Sequence, residues 1–249
     1  MLFCAAGFSA PMFLAHLLLT GQGRGLKPVL PLWTAARIAV TLVNGMLGAY
    51  AFSVLPLAET YAVMFLMPLL IPALAWPVLG EAIDLPRGLA ILAGFAGVIL
   101  ALGPSSSGLS IGHLSALGAA TLGAMNYVII RRTSGVENPG VILLYPTLAM
   151  VACLGLVMPW VWQPMTPGQL GLTFLMAVEL YIGGYAIVAA YRLAPAIVVA
   201  PMQYSQIGWA AIFGWLLFSE TIGPATGLGI AVIIGAGLFI LWRSGSARP

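Results

Sequence analysis

Apolar stretches of membrane-crossing length follow one another along this chain, separated by short polar or Pro/Gly-rich breaks. A crossing takes roughly 20 predominantly apolar residues, and about nine segments qualify. They run approximately over 1–20, 34–54, 59–80, 88–103, 111–131, 140–160, 169–190, 196–218 and 224–242. The breaks are rich in turn formers, as at 21–25, 103–108 and 163–168, and none is long enough to hold a soluble domain. Segment 1–20 lacks a basic stretch before its apolar run, so it reads as a membrane helix and not as a signal peptide. The pattern predicts an all-α integral membrane protein of about nine transmembrane helices.

The basic residues give the segments a direction. Arg24 and Lys27 lie in the first break, with Arg37 close behind it; Arg87 lies in the third. Arg131 and Arg132 edge the fifth, Arg192 sits at the seventh, and Arg243 and Arg248 follow the last segment. The even-numbered breaks have no basic residue. By the positive-inside rule the odd breaks and the C-terminus are cytoplasmic, in a cell membrane of the bacterial inner-membrane kind. The N-terminus then lies outside, an awkward start for a chain without a cleavable signal, and a first helix is expected to be missing.

Composition excludes other classes. Charged residues make up 6% of the chain and hydrophobic ones 61%, with mean hydropathy +1.07; soluble domains carry about 25% charge. The net charge of +3 rests on nine basic residues, so no nucleic-acid surface is available, and the Arg131-Arg132 pair reads as a helix end at the membrane surface. Cys4 and Cys153 lie in apolar runs without CxxC or Cys/His spacing, and neither a metal site nor a cofactor is expected. Six acidic residues and two histidines are scattered over the chain with no motif of paired catalytic groups, so no enzyme is expected. The expected partners are lipid and a small-molecule substrate, with a homodimer left open.

A shift of 139 positions superposes two stretches without gaps. Pro56, Trp76, Glu81, Ile83, Gly88, Leu89 and Ile91 meet Pro195, Trp215, Glu220, Ile222, Gly227, Leu228 and Ile230. The shift carries the third segment onto the eighth. Five crossings separate them, so the copies point in opposite directions, with Glu81 cytoplasmic and Glu220 outside. Inverted repeats of this kind build secondary transporters around a midplane site.

Particular residues narrow the resemblance. Leu55-Pro56-Leu57-Ala58-Glu59-Thr60, Pro68, Leu79-Gly80-Glu81 and Gly94-Phe95-Ala96-Gly97-Val98 resemble the first repeat of the EamA family, within the drug/metabolite transporter superfamily. Ala194-Pro195-Ala196, Ala200-Pro201-Met202-Gln203-Tyr204, Phe218-Ser219-Glu220 and Gly235-Ala236-Gly237 resemble its second. The resemblance implies ten helices, five per repeat, and transport of small metabolites. Residues 1–104 then form a first repeat one helix short, and 105–249 the second. A truncated or subunit-like protein without transport activity of its own is the alternative.

Several residues are candidates for solute contact or coupling. Glu179 lies near the centre of its segment, where an acidic residue costs about 2.5–3.5 kcal/mol on insertion scales. It is expected either to bind a substrate cation or couple transport to protons, or to be a protonated structural carboxyl. Asn44 and Asn126 are intramembrane amides that need partners; Tyr127, beside Asn126, points elsewhere. Gln203 and Gln206 are three apart and share a helix face, with Tyr204 between them. Their repeat equivalents Met64 and Met67 would oppose a pliable apolar wall to that polar one. Glu81, Asp84 and Glu220 are expected to cap the helices that follow them, near Pro86 and Pro224. His16 and His113 are read as structural.

Overall fold

The computed structural model of the chain describes residues 2–21, 25–55, 57–81, 83–102, 110–204, 206, 216 and 224–246, which contain helix, turn and no strand. The helices are α1 (Leu2–Leu19), α2 (Pro31–Val54), α3 (Leu57–Met64), α4 (Met67–Leu79), α5 (Leu85–Leu102), α6 (Ile111–Thr133), α7 (Pro139–Val161), α8 (Pro167–Leu193) and α9 (Ala196–Val199). A 3-10 turn follows over Ala200–Tyr204, and α10 spans Pro224–Ser246. Helices α1, α2, α6, α7 and α8 are long and apolar enough to cross a bilayer, and α4, α5 and α10 carry shorter apolar stretches. Leu18, Ile99 and Leu156 are each about 70% exposed, an outer surface that calls for lipid. The chain is a multi-pass α-helical membrane protein.

Local chemistry sets the helix ends. Asn138 caps α7 by accepting the Gly140 N–H (2.8 Å), with Pro139 at the first helical position. Thr166 and Gln169 form a reciprocal capping box at the start of α8: Thr166 N–H donates to Gln169 Oε1 (2.9 Å), and Gln169 N–H to Thr166 Oγ1 (3.3 Å). Gly80 ends α4 at φ 71°, where a side chain would be strained.

Two expected crossings differ. The run 59–80 is not one helix. Pro68 has no N–H for the Met64 carbonyl, and its ring crowds that oxygen. The chain turns at Phe65–Leu66, where the Leu66 N–H bonds to Val63 only three residues back (3.0 Å), and α4 restarts with the Leu69 and Leu70 N–H groups on the Leu66 carbonyl. The run 196–218 opens as α9 and tightens into the 3-10 turn around Pro201; beyond Tyr204 only 206 and 216 are described.

By its contacts the chain divides into two compact units: Met1–Leu42 with Ile129–Leu193, and Val43–Val128 with Ala194–Pro249. Each draws on both sequence halves. In the first unit α1 packs along α7 and α8. Gly140 leaves room there for the buried Leu17 side chain, whose methyl would lie 2.6 Å from a Cβ. The loop after α1 is fastened by Glu137, which accepts the Val29 and Leu30 N–H groups (3.1 and 2.6 Å), and by Tyr145 Oη donating to the Leu26 carbonyl (3.0 Å).

In the second unit α5 lies along α10. A Cβ on Gly97 would sit 3.0 Å from the Gly229 carbonyl and from Ile233, so the two backbones approach closely there. Asp84, just before α5, bonds Arg243 in the last turn of α10 at 2.5 Å. These two contacts make the helices antiparallel. They also begin 139 positions apart, at Leu85 and Pro224, as α3 and α9 do at Leu57 and Ala196; α2 and α8 end at the same offset, at Val54 and Leu193.

Contacts between helix ends respect the alternation read from the basic residues. In the first unit Glu137, at the fifth break, meets the first, and Arg131 Nη1 donates to the Tyr191 carbonyl (2.8 Å), joining fifth to seventh. In the second unit Glu81 meets Ala196, third to seventh, and Asp84 meets the C-terminal helix end. Gly112 abuts Leu55, fourth to second. In each of these contacts among the described residues, an odd end meets an odd end or an even end meets an even one.

Candidate functional site

The interruption at Phe65–Leu66 gathers several of the candidate residues. A Cβ on Gly123 of α6 would come within 2.7 Å of the Met67 sulfur and 3.9 Å of Asn44 Oδ1, so α2, α4 and α6 converge at that point of the second unit. One turn along α2, Gly48 faces the Met64 methyl, 3.8 Å from where its own Cβ would be. Asn126 and Tyr127 follow Gly123 by about one turn of α6; both are partly buried and engaged with neighbours. Glycines on α2 and α6 leave room for the Met64 and Met67 side chains beside those helices. Met64 to Met67 is also where helix bonding is weakest, because Pro68 leaves the Met64 carbonyl without its usual donor.

The corresponding stretch of the second half is irregular too. Gln203 lies in the 3-10 turn, 7% exposed and engaged with a neighbour, and the turn packs on α4 and α10. Gln206 is exposed, so the two amides occupy different surroundings. Tyr204 is described in its backbone alone.

Glu179 belongs to the first unit. It is exposed on α8 without a hydrogen-bond partner among the described residues, and its Oε1 lies over Gly183, 3.4 Å from where a Cβ would stand. A mid-helix carboxylate so placed needs water or a cation.

Sequence reasoning passed over two features of this unit. His16 Nδ1 is 2.6 Å from Tyr181 Oη, and its ring lies 4.5 Å from that of Tyr185, whose buried hydroxyl has no partner among the described residues. Tyr181 and Tyr185 stand one turn apart on α8, a spacing that marks a shared face but names no partner on α1. Glu137 is 2% exposed. Beside it Trp33, Thr34, Arg37 and Thr133 line a cavity with room for about one water molecule. Its partner Leu30 is 107 positions away, beyond any local signal.

At the start of α5 Asp84 takes the Arg87 backbone N–H, as a cap does. Asp84 pairs with Arg243 and with Arg87 (3.5 Å). The Arg243 hydrogen bond, against some desolvation and helped by the Arg87 and Arg243 charges, holds its carboxyl below the usual range. Glu81 accepts the Ala196 N–H of α9 at 3.0 Å, because Gly80 turns the chain away from α4 at that point. Glu220 lies outside the described residues. Among the described residues no three His, Cys, Asp or Glu side chains gather as a metal site would require.

Fold and site define a polytopic helical membrane protein with interrupted helices within one of its units. No protein-family model matches the chain. It is similar along most of its length to proteins named as transporters of small metabolites. The "Riboflavin transporter" of Vibrio cholerae is 25% identical over 220 residues, 87% of this chain and 74% of that protein. The "Riboflavin transporter" of Rhizobium johnstonii is 27% identical over 187 residues, 75% of this chain and 62% of that one, less than two thirds of its length. The "S-adenosylmethionine uptake transporter" of Rickettsia bellii is 25% identical over 198 residues, 80% and 68%. A solved crystal structure shares the fold with TM-score 0.74 at 20% identity, covering 100% of this chain and 89% of that one.

Proposed function

We propose that this chain is an EamA-like secondary transporter moving a small organic metabolite across the inner membrane of a bacterial cell, with two inverted repeats as its frame. The observation that carries the reading is the pair of interrupted segments that begin 139 positions apart, at Leu57 and Ala196, one broken at Phe65–Leu66 and the other passing into a 3-10 turn at Ala200. Breaks in corresponding helices of two halves are the usual mark of a transporter's solute site, because unpaired backbone in lipid is tolerated only where it lines protein or a cavity. The antiparallel packing of α5 and α10, which start at the same offset, supports the inverted relation.

The surroundings of the first break favour a solute with a flat apolar ring and a polar chain. Met64 and Met67 offer polarizable, adaptable surface, and Asn44, Asn126 and Gln203 offer amides. Riboflavin and S-adenosylmethionine, the solutes in the relatives' names, both combine a heteroaromatic ring with a hydroxylated ribose-derived group. Glu179 is the coupling residue in this reading, exchanging a proton or a cation during the cycle.

Proteoliposomes carrying the purified chain test this. Saturable uptake of riboflavin or labelled S-adenosylmethionine is expected, and Glu179→Gln is expected to flatten its dependence on an imposed pH gradient. Uptake no faster than in empty liposomes for these two solutes and a wider metabolite panel would reject the transporter reading.

A further inference from the structure

Pro195 has no side-chain acceptor for the helix that follows it. Both Val198 and Val199 return their N–H groups to the Pro195 carbonyl (3.0 and 3.2 Å), and the Ala196 N–H points out of the first turn, where only a foreign acceptor can take it. That acceptor stands 115 positions away: Glu81 Oε2, at 3.0 Å. Glu81 reaches it because α4 stops sharply. Gly80, at φ 71° and with its N–H on the Trp76 carbonyl, turns the chain out of the helix one residue before the carboxylate.

We infer that Glu81 is a positioning residue: a carboxylate staple that fixes the start of the second half's interrupted helix to the end of the first half's. It thereby sets the depth at which Gln203 lies along α4. The inference rests on the transporter reading for its consequence in transport, and on geometry alone for the staple. A four-residue helix does not hold its own place. From Ala196 the chain runs through α9 directly into the 3-10 turn that carries Gln203, and both pack on α4. A bond at Ala196 therefore governs the register of the whole segment. A charged acceptor suits the task, since bonds to ionised groups are about twice as strong as neutral ones. The sequence repeats the residue types: Pro56 precedes Leu57 as Pro195 precedes Ala196, and Glu220 stands 139 positions after Glu81.

Hydrogen exchange on the full chain in nanodiscs reads the staple without any substrate. Glu81→Ala is expected to speed exchange of the 196–199 amides about tenfold while those of α7 keep their rates. Glu81→Gln, which keeps an acceptor and loses the charge, should speed them about two- to threefold. In a Cys4→Ser, Cys153→Ser background, Gln203→Cys should react with a hydrophilic thiol reagent about fivefold faster when Glu81→Ala is added. Wild-type exchange at 196–199 in the Ala variant, or in the Gln variant should the Ala variant not fold, overturns the staple. In riboflavin-loaded proteoliposomes the Ala variant should raise KM about fivefold with kcat within about twofold; an unchanged KM overturns the positioning role. Failure of the wild type to carry any solute would reject the transporter reading, while the exchange data would still decide the staple.

Discussion

Single carboxylates hold this protein's ends together, each through a bond to a distant segment. Glu137, 2% exposed, takes two backbone N–H groups at the entry to α2. Its replacement by Ala strands both donors, and an unsatisfied buried group costs about 1–3 kcal/mol. The variant is expected to lower the melting temperature in detergent, with Glu137→Gln recovering part of the loss; an unchanged melting point would show that water replaces the carboxylate without cost. Asp84 works through charge. Its carboxyl is held low by Arg243, so the folded state favours the ionised form and the link contributes fully above the ordinary carboxylate range. That contribution disappears as pH falls through the carboxylate range and below it. Melting curves between about pH 6 and about pH 2 should therefore show an acid-side loss that Asp84→Asn reduces, and an identical slope in the variant would remove Asp84 as its source.

At the level of the element, glycine and proline act in opposite ways. Gly97 lets α5 and α10 touch along their backbones. A side chain there meets the Gly229 carbonyl at 3.0 Å, which cannot swing aside as a flexible side chain would. Gly97→Leu is expected to destabilise by about 1–3 kcal/mol through overpacking, measured by chemical denaturation in micelles; a neutral effect would mean that the helices separate freely. Pro68 breaks a helix that its neighbours would otherwise continue. Pro68→Ala restores the donor to the Met64 carbonyl and joins α3 to α4, rotating Met64 away from the Gly48 face. Uptake is expected to fall by about an order of magnitude without loss of folded protein, and full uptake would show that the break has no part in transport.

Across the whole molecule, the side of the membrane on which each end lies is the decisive quantity. The inverted reading places residue 81 in the cytoplasm and residue 220 outside. Single cysteines at those positions, in a background lacking Cys4 and Cys153, should be labelled from opposite sides of oriented vesicles. Labelling of both from one side would dissolve the inverted repeat and the transporter proposal with it. Compact units do not follow the boundary expected at 104–105: each takes segments from both sides of it, because helices adjacent in sequence need not be the ones whose small residues match.

Hydropathy determined by itself that the chain is a helical membrane protein and where most of its apolar helices lie. Those properties depend on transfer energy, which each segment carries irrespective of its neighbours. Asn44, Met64 and Met67 were legible as candidates because polar or repeat-related residues stand out in an apolar run. Tertiary structure alone decided that Glu81 reaches Ala196, that Glu137 fastens the entry to α2 and that His16 pairs with Tyr181. It also decided that the 59–80 run breaks at Phe65–Leu66. Hydrogen-bond partners more than a hundred residues apart leave no periodic trace, and a proline in a membrane helix bends it or breaks it according to whether neighbouring helices leave room for the turn.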